Sequence, residues 1–160
     1  MEYIKGDIIK LFKEGNYRIL IHGASCQQKM GSGVAKALKN EWPQIYDADL
    51  NYNPNKKPFE RLGDYSYATA DINNTRKVII NAYTQLYYGN DGKRYVSYDA
   101  IDQVFEKIKI YLIKHNTTDK KIIIPKIGSK LGGGNWDVIS SIIDSHMKDF
   151  DLTVVEFDEN

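Results

Sequence analysis

The feature that most constrains this chain occurs twice: an apolar strand-like run ends in a glycine-bearing loop, and the loop opens a helix. The first copy is Arg18–Leu38, RILIHGASCQQKMGSGVAKAL. RILIH reads as a buried strand, and Met30-Gly31-Ser32-Gly33 leads into Val34, Leu38 and Trp42 at helical spacing. The second copy is IIIP, then Ile127-Gly128-Ser129-Lys130-Leu131-Gly132-Gly133-Gly134, with Asn135-Trp136 opening a helix. Such an element builds a site for an anion. Backbone N–H groups at the helix start point at the ligand, the helix dipole favours negative charge, and glycine removes the Cβ that would block close approach. Two of these loops indicate a phosphate-rich ligand held between them.

The rest of the chain supplies a sheet to carry them. Met1–Lys5, Tyr17–His22, Asp64–Asp71, Lys77–Ala82, Lys121–Pro125 and Leu152–Phe157 read as strands. Gly33–Trp42, Tyr98–Ile113 and Asn135–Met147 read as amphipathic helices, the clearest being Tyr98–Ile113 with Ile101, Val104, Phe105, Ile108 and Leu112 on one face. Asn51–Pro58 and Gly89–Lys93 read as loops. Strands alternating with helices predict an α/β sandwich with a largely parallel sheet. In such sheets ligands bind outside the carboxyl ends of the strands, where both glycine loops emerge. No repeat, low-complexity segment or linker divides residues 1–160, so a single domain is expected.

Composition excludes several function classes. Lys and Arg total 22 against 21 Asp and Glu, so neither a basic nucleic-acid surface nor a polybasic membrane patch is expected. One cysteine, Cys26, leaves no intrachain disulfide and no multi-cysteine zinc site. MEYIKGDIIK lacks the apolar stretch of a signal peptide, and a cytoplasmic monomer without metal or cofactor is the expectation. The twelve tyrosines are expected mainly to pack, half-buried, rather than to stack on bases.

Neither loop matches GxxxxGK[ST] or GxGxxG, so a nucleotide triphosphatase or ordinary dinucleotide enzyme is not indicated. His22 closes the strand beside the first loop. It is read either as a strand-end histidine bonded to backbone or as a general acid or base. Lys130 is either a solvated loop lysine or a point charge for a terminal phosphate. Asp7 either caps a short helix over Ile8–Phe12 or contacts ligand. His115 and His146 lie late in helices and are assigned to charge near a helix C-terminus or to the surface. Asp47, Asp49, Asp99, Asp102 and Asp137 show no metal-ligand spacing and are assigned to helix starts and surface.

Together these residues resemble the macro domain family, the ADP-ribose-binding fold, over nearly the whole chain. The resemblance implies a three-layer α/β/α fold around a mixed, largely parallel sheet. Gly6-Asp7-Ile8 is similar to the family's early GDI element, whose Asp accepts from the adenine amino group while the next residue binds the ring through its backbone. Pro125–Trp136 is similar to the diphosphate loop P-x-I-G-x-G-L-x-G-x-x-W, which assigns Ile127, Gly128, Ser129, Lys130, Leu131, Gly132, Gly133 and Gly134 to the diphosphate. Gly31, Ser32, Gly33, Val34 and Ala35 then frame the distal ribose. Ser25 stands where an asparagine often contacts that ribose, and Phe157 where an aromatic often lies against adenine.

The run RILIHGASCQQKMGSGVA is most similar to the yeast-type ADP-ribose 1''-phosphate phosphatase branch, which has a histidine in an IH-x-x-x-C context. That implies metal-independent release of the terminal phosphate, with His22 activating water or attacking phosphorus. The paired asparagines of the common hydrolase and deacetylase pattern are absent, Gly23-Ala24-Ser25 standing in their place. The lysine and aspartate of the branch that clears acidic side chains are absent too, from Asn81–Gln85 and Gly132–Gly134. An ADP-ribosyl hydrolase acting on modified macromolecules and a non-catalytic ADP-ribose reader remain as alternatives. The insert YTQLYYGNDGKRYVSYDA resembles phage members of the family.

Overall fold

Each element of the computed structural model, which describes residues 1–53 and 55–157, begins or ends on a recognisable local device. Strand β1 (Glu2–Gly6) hands over to α1 (Ile8–Glu14) through Asp7, whose Oδ1 accepts from the amides of Ile9 (2.9 Å) and Lys10 (3.3 Å). That is an N-cap, and it satisfies two donors the helix cannot. Strand β2 (Tyr17–Ser25) runs three residues past the predicted end. Helix α2 (Gly33–Glu41) stops before Pro43, whose fixed φ starts α3 (Pro43–Asn51). The short α4 (Pro58–Arg61) follows.

Strands β3 (Tyr65–Ile72) and β4 (Thr75–Gln85) form a hairpin over Asn73 and Asn74, both left-handed (φ 52° and 63°), as a tight primed turn requires. Helix α5 (Tyr98–Lys114) is capped by Ser97 Oγ, which accepts from Ala100 N at 3.1 Å. After β5 (Lys121–Pro125), α6 (Trp136–Met147) is capped by Asn135 Oδ1, which accepts from Asp137 N at 2.8 Å. Strand β6 (Asp151–Phe157) follows α6.

The sheet order is β1-β6-β5-β2-β4-β3, every pair parallel except the β3–β4 hairpin. Alternation along β2 divides the core. Ile19 and Ile21 pack with Val104, Ile108 and Ile143 of α5 and α6, whereas Leu20 packs with Phe12, Leu38 and Ile45 of α1, α2 and α3. Both faces of the central strands are therefore covered, giving the three-layer α/β/α arrangement. Leu20, Ile21, Ile79, Ile80, Ile122 and Ile123 retain no accessible surface. Each contributes about 1.5–3 kcal/mol of burial.

Helix α3 is the element the sequence pattern hid. Its two buried side chains are Ile45 and Asp49, so an aspartate occupies a position where a helical stripe is normally apolar.

Candidate functional site

Parallel strands end on one side of a sheet, so the register decides what meets there. Gly6 pairs with Phe157 and Pro125 with Val155, which brings Asp7, Phe157 and the second glycine loop to the same edge. Lys130 Nζ lies 5.0 Å from the centroid of the Phe157 ring, and that ring is 63% exposed. The second loop also abuts β2. A Cβ on Gly23 would lie 2.9 Å from both Ile127 Cγ2 and Thr84 Oγ1, so Gly23 permits the approach. A continuous rim therefore runs from Asp7 through Phe157 and the second loop to the exit of β2.

The second loop folds tightly on itself. Gly134 N donates to Gly128 O (2.8 Å), Gly133 N donates to Lys130 O (3.0 Å), and Ser129 Oγ donates to Lys126 O (2.8 Å). Gly132 O accepts from Tyr95 N (2.7 Å) and Val96 N (3.0 Å), pinning the loop to the segment before α5. Among the described residues, the amides of Gly128, Lys130, Leu131 and Gly132 donate to no backbone carbonyl. Clustered free amides are what an anion needs. Ile127 is buried as the loop's anchor, while Leu131 is exposed.

In the first loop, Ser32 occupies the N-cap of α2 but its side chain makes no capping bond, and Gly33 is left-handed (φ 58°). Nothing lies within 4 Å of where a Cβ would stand on Gly31 or Gly33, so this face is open. Val34 and Ala35 sit half-buried in the first turn behind them. Ser25 Oγ accepts weakly from Gln27 N at 3.4 Å. The loop is held from below by Cys26 N on Gln85 O (2.9 Å), Arg61 on Cys26 O (3.0 Å) and Gln28 Nε2 on Asp49 O (2.7 Å).

His22 lies apart from this open rim. It shares the face of Leu20, beneath α3, and has no accessible surface. Its Nε2 is 2.5 Å from Asn81 Oδ1. Because the Asn81 amide NH2 donates to Ile45 O (3.2 Å) and Ser66 Oγ (3.1 Å), Oδ1 is the acceptor and His22 Nε2 carries the proton. Nδ1 is enclosed without a partner. Burial lowers the His22 pKa to about 4, against the opposing pull of Asn81 and the Gly23 backbone, so the ring is neutral near pH 7.

No protein-family profile matches the chain. Over 158 residues it is 32% identical to an uncharacterized 17.5 kDa protein encoded in the tk-vs intergenic region of enterobacteria phage T4, covering 99% of this chain and 97% of that one. Its backbone superposes on the macrodomain of Mycobacterium tuberculosis DarG with a TM-score of 0.73 at 19% identity, covering 96% of this chain and 95% of the other. Thermosipho africanus DarTG, solved in complex with ADP-ribose, matches with a TM-score of 0.75 at 13% identity over 99% of this chain and 42% of the larger protein. The chain is a macrodomain by fold and belongs to the family of the phage T4 protein.

Several buried and loop residues of this macrodomain escape the sequence reading. From Asn81 the buried polar chain continues through Ser66 to the Tyr83 hydroxyl (2.8 Å) and on to Asp49 Oδ1 (2.7 Å). Asp49, expected at a helix start or the surface, is instead wholly buried. It lies one helical turn after Ile45 on the inward face of α3. Burial holds its pKa up, against the Tyr83 hydrogen bond and nearby Arg61. Beside the second loop, a cavity of about 360 Å³ is lined by Arg94–Asp99. There the Arg94 guanidinium sits 4.5 Å over the Tyr98 ring, whose hydroxyl accepts from Asn135 N at 3.0 Å.

His146 and His115 are remote from the rim. His146 bridges α6 to Asp102 (2.6 Å) and Glu106 (3.1 Å) on α5, and His115 packs on Tyr111. Among the described residues no three His, Cys, Asp or Glu side chains gather as metal ligands, and no helix is long and apolar enough to cross a membrane.

Proposed function

We propose that this macrodomain binds ADP-ribose along the rim and releases the terminal phosphate of ADP-ribose 1''-phosphate. The observation that carries the binding is the set of unengaged amides at Gly128, Lys130, Leu131 and Gly132, at the same edge of the sheet as the uncapped start of α2. Such amides suit a diphosphate, and the ADP-ribose complex of the similarly folded DarTG supports that ligand class. Asp7 and Ile8 would take adenine against Phe157. Ile127–Gly134 would take the diphosphate, and Ser25 with Gly31–Ala35 the distal ribose and its phosphate.

In the hydrolysis, water attacks phosphorus, the bond from phosphorus to the ribose 1''-oxygen breaks, and that oxygen leaves with a proton. Loop amides and Lys130 would stabilise the charge. His22 is already the neutral base such a step needs. With its ring enclosed beneath α3, it reaches a water only if the elements that cover it move. A reader that binds ADP-ribose without turnover needs no such movement, and the enclosure of His22 favours this second reading.

Phosphate release from ADP-ribose 1''-phosphate in EDTA, run beside calorimetry with ADP-ribose, separates these readings. The phosphatase reading expects release that is lost in His22→Ala while ADP-ribose binding survives. Binding without release leaves the reader, and loss of label from modified protein or nucleic acid on a gel would move the activity to the hydrolase class. Absence of ADP-ribose binding overturns them all.

Asp7→Asn tests the adenine contact without touching the fold. Asn caps helices as well as Asp, so the melting temperature is expected to stay within about 2 °C. Asp7 Oδ1 is committed to the cap, and an amide NH2 in place of Oδ2 would confront the adenine amino group with another donor. Affinity measured by calorimetry is expected to fall at least about tenfold. Unchanged affinity would remove Asp7 from the adenine site.

A further inference from the structure

The opposite end of the sheet holds a cavity of about 500 Å³ that no part of the function above uses. It opens where β2, β4 and β5 begin, and its wall is cationic. Lys77 stands at its inner side, only 3% exposed, with Nζ donating to Phe12 O (2.5 Å) and Gly15 O (2.9 Å) at the end of α1. Among the described residues those two bonds leave one N–H of the ammonium without a hydrogen-bond acceptor, and Nζ also lies 5.0 Å from the centroid of the Phe12 ring. Arg18 uses Nε on Arg76 O (3.2 Å), and neither Arg18, Lys77 nor Lys121 has a carboxylate partner among the described residues.

The other cations of the wall are compensated, Lys13 by Glu41 (2.6 Å) and Lys120 by Asp119 (3.6 Å). Glu14, also on the wall, is in no ion pair among the described residues and offsets part of the excess. Three cations without a carboxylate partner among the described residues thus share a concave wall with one unpaired carboxylate, Lys121 lying 5.6 Å from the centroid of the Tyr17 ring, in a protein whose whole net charge is +1. Burying an ammonium without a counter-ion is costly, and backbone carbonyls offset only part of that cost. Burial and then Arg18 lower the Lys77 pKa, as two cations that repel each other must. A bound anion relieves both the burial and the repulsion.

We propose that this cavity is a second anion site, for the phosphate groups of a small phosphorylated molecule. Arg18, Lys77 and Lys121 line one concavity rather than a strand-length groove, which fits a compact oligophosphate better than a polynucleotide. The inference stands apart from the ADP-ribose reading, since no residue of the rim takes part.

Titrating the isotope-labelled protein with inorganic pyrophosphate, with the amides followed by NMR, tests it. Saturable shifts are expected at Asn16–Arg18, Asn73–Lys77 and Asp119–Lys121, persisting when ADP-ribose is present. Arg18→Gln with Lys121→Gln is expected to raise the dissociation constant for these shifts at least about tenfold, and Arg18→Lys to leave it within about threefold, since position 18 then keeps its charge. Lys77→Met, which keeps the apolar stem, provides a separate variant should the pair fold poorly. Shifts confined to Gly128–Gly134, shifts that do not saturate by about 10 mM, unchanged binding in the charge-removal variants, or tighter binding of a short single-stranded oligonucleotide than of pyrophosphate would each overturn the proposal.

Discussion

Gly133→Ala is expected to lower the melting temperature by roughly 6–12 °C. Gly133 is left-handed (φ 69°), a conformation that costs an L-residue roughly 1–2 kcal/mol. A Cβ there would also press on the Lys93 carbonyl oxygen and stand 2.9 Å from Arg94 Cα. Those are backbone atoms of the segment that pins Gly132, so relief requires moving main chain rather than rotating a side chain. Overpacking of this kind adds roughly 1–3 kcal/mol, and about 3 kcal/mol in total corresponds to the stated fall for a chain of this size. The displaced loop is the one that presents the free amides, so ADP-ribose affinity falls with it on the proposed reading. Gly31→Ala is the control. Its Cβ meets nothing within 4 Å, so its melt stays at the wild-type value. Equal melts for the two alanine variants would show that the second loop carries no such constraint.

What was legible in the sequence follows from which side chains carry periodic information. The strands and the helices α2, α5 and α6 declared themselves because their buried positions are apolar at period 2 or 3.6, as with Ile101, Val104, Phe105, Ile108 and Leu112. The two loops were legible because glycine and proline punctuate backbone, and the parallel register carried both to one edge. The buried network was not legible. The sequence reading gives Asn81 and Ser66 no role and assigns Asp49 to helix starts and surface, because hydrogen-bond partners distant in sequence leave no periodic trace. Asn81 meets His22 across a ladder of 59 residues' separation, and Tyr83 meets Asp49 across 34. The same contacts changed the reading of His22. Its position at the end of RILIH was legible, but its enclosure depends on α3, whose inward stripe includes Asp49.

Acidification from pH 7.5 to 5 is expected to cost about 2 kcal/mol of unfolding free energy through His22. The sign follows from the direction of the shift. The folded-state pKa is about 4, below the ordinary 6.5, so between those values the unfolded chain binds a proton that the folded chain refuses. Stability from this group is complete above pH 6.5 and is lost as pH falls toward 4, at about 1.4 kcal/mol per pH unit. Asp49 works the other way, because its raised pKa keeps a proton on the folded state that the unfolded chain has released. Asp49→Asn should therefore remove that opposing contribution. Urea unfolding of wild type and His22→Gln across this range isolates the term. The glutamine amide can still donate to Asn81 Oδ1, but it does not titrate, so the variant is expected to lose the His22 share of the slope and keep the rest. Identical slopes would mean that His22 reaches solvent in the folded protein. That outcome would favour its contact with substrate, because the ring that escapes protonation is the ring that water cannot reach.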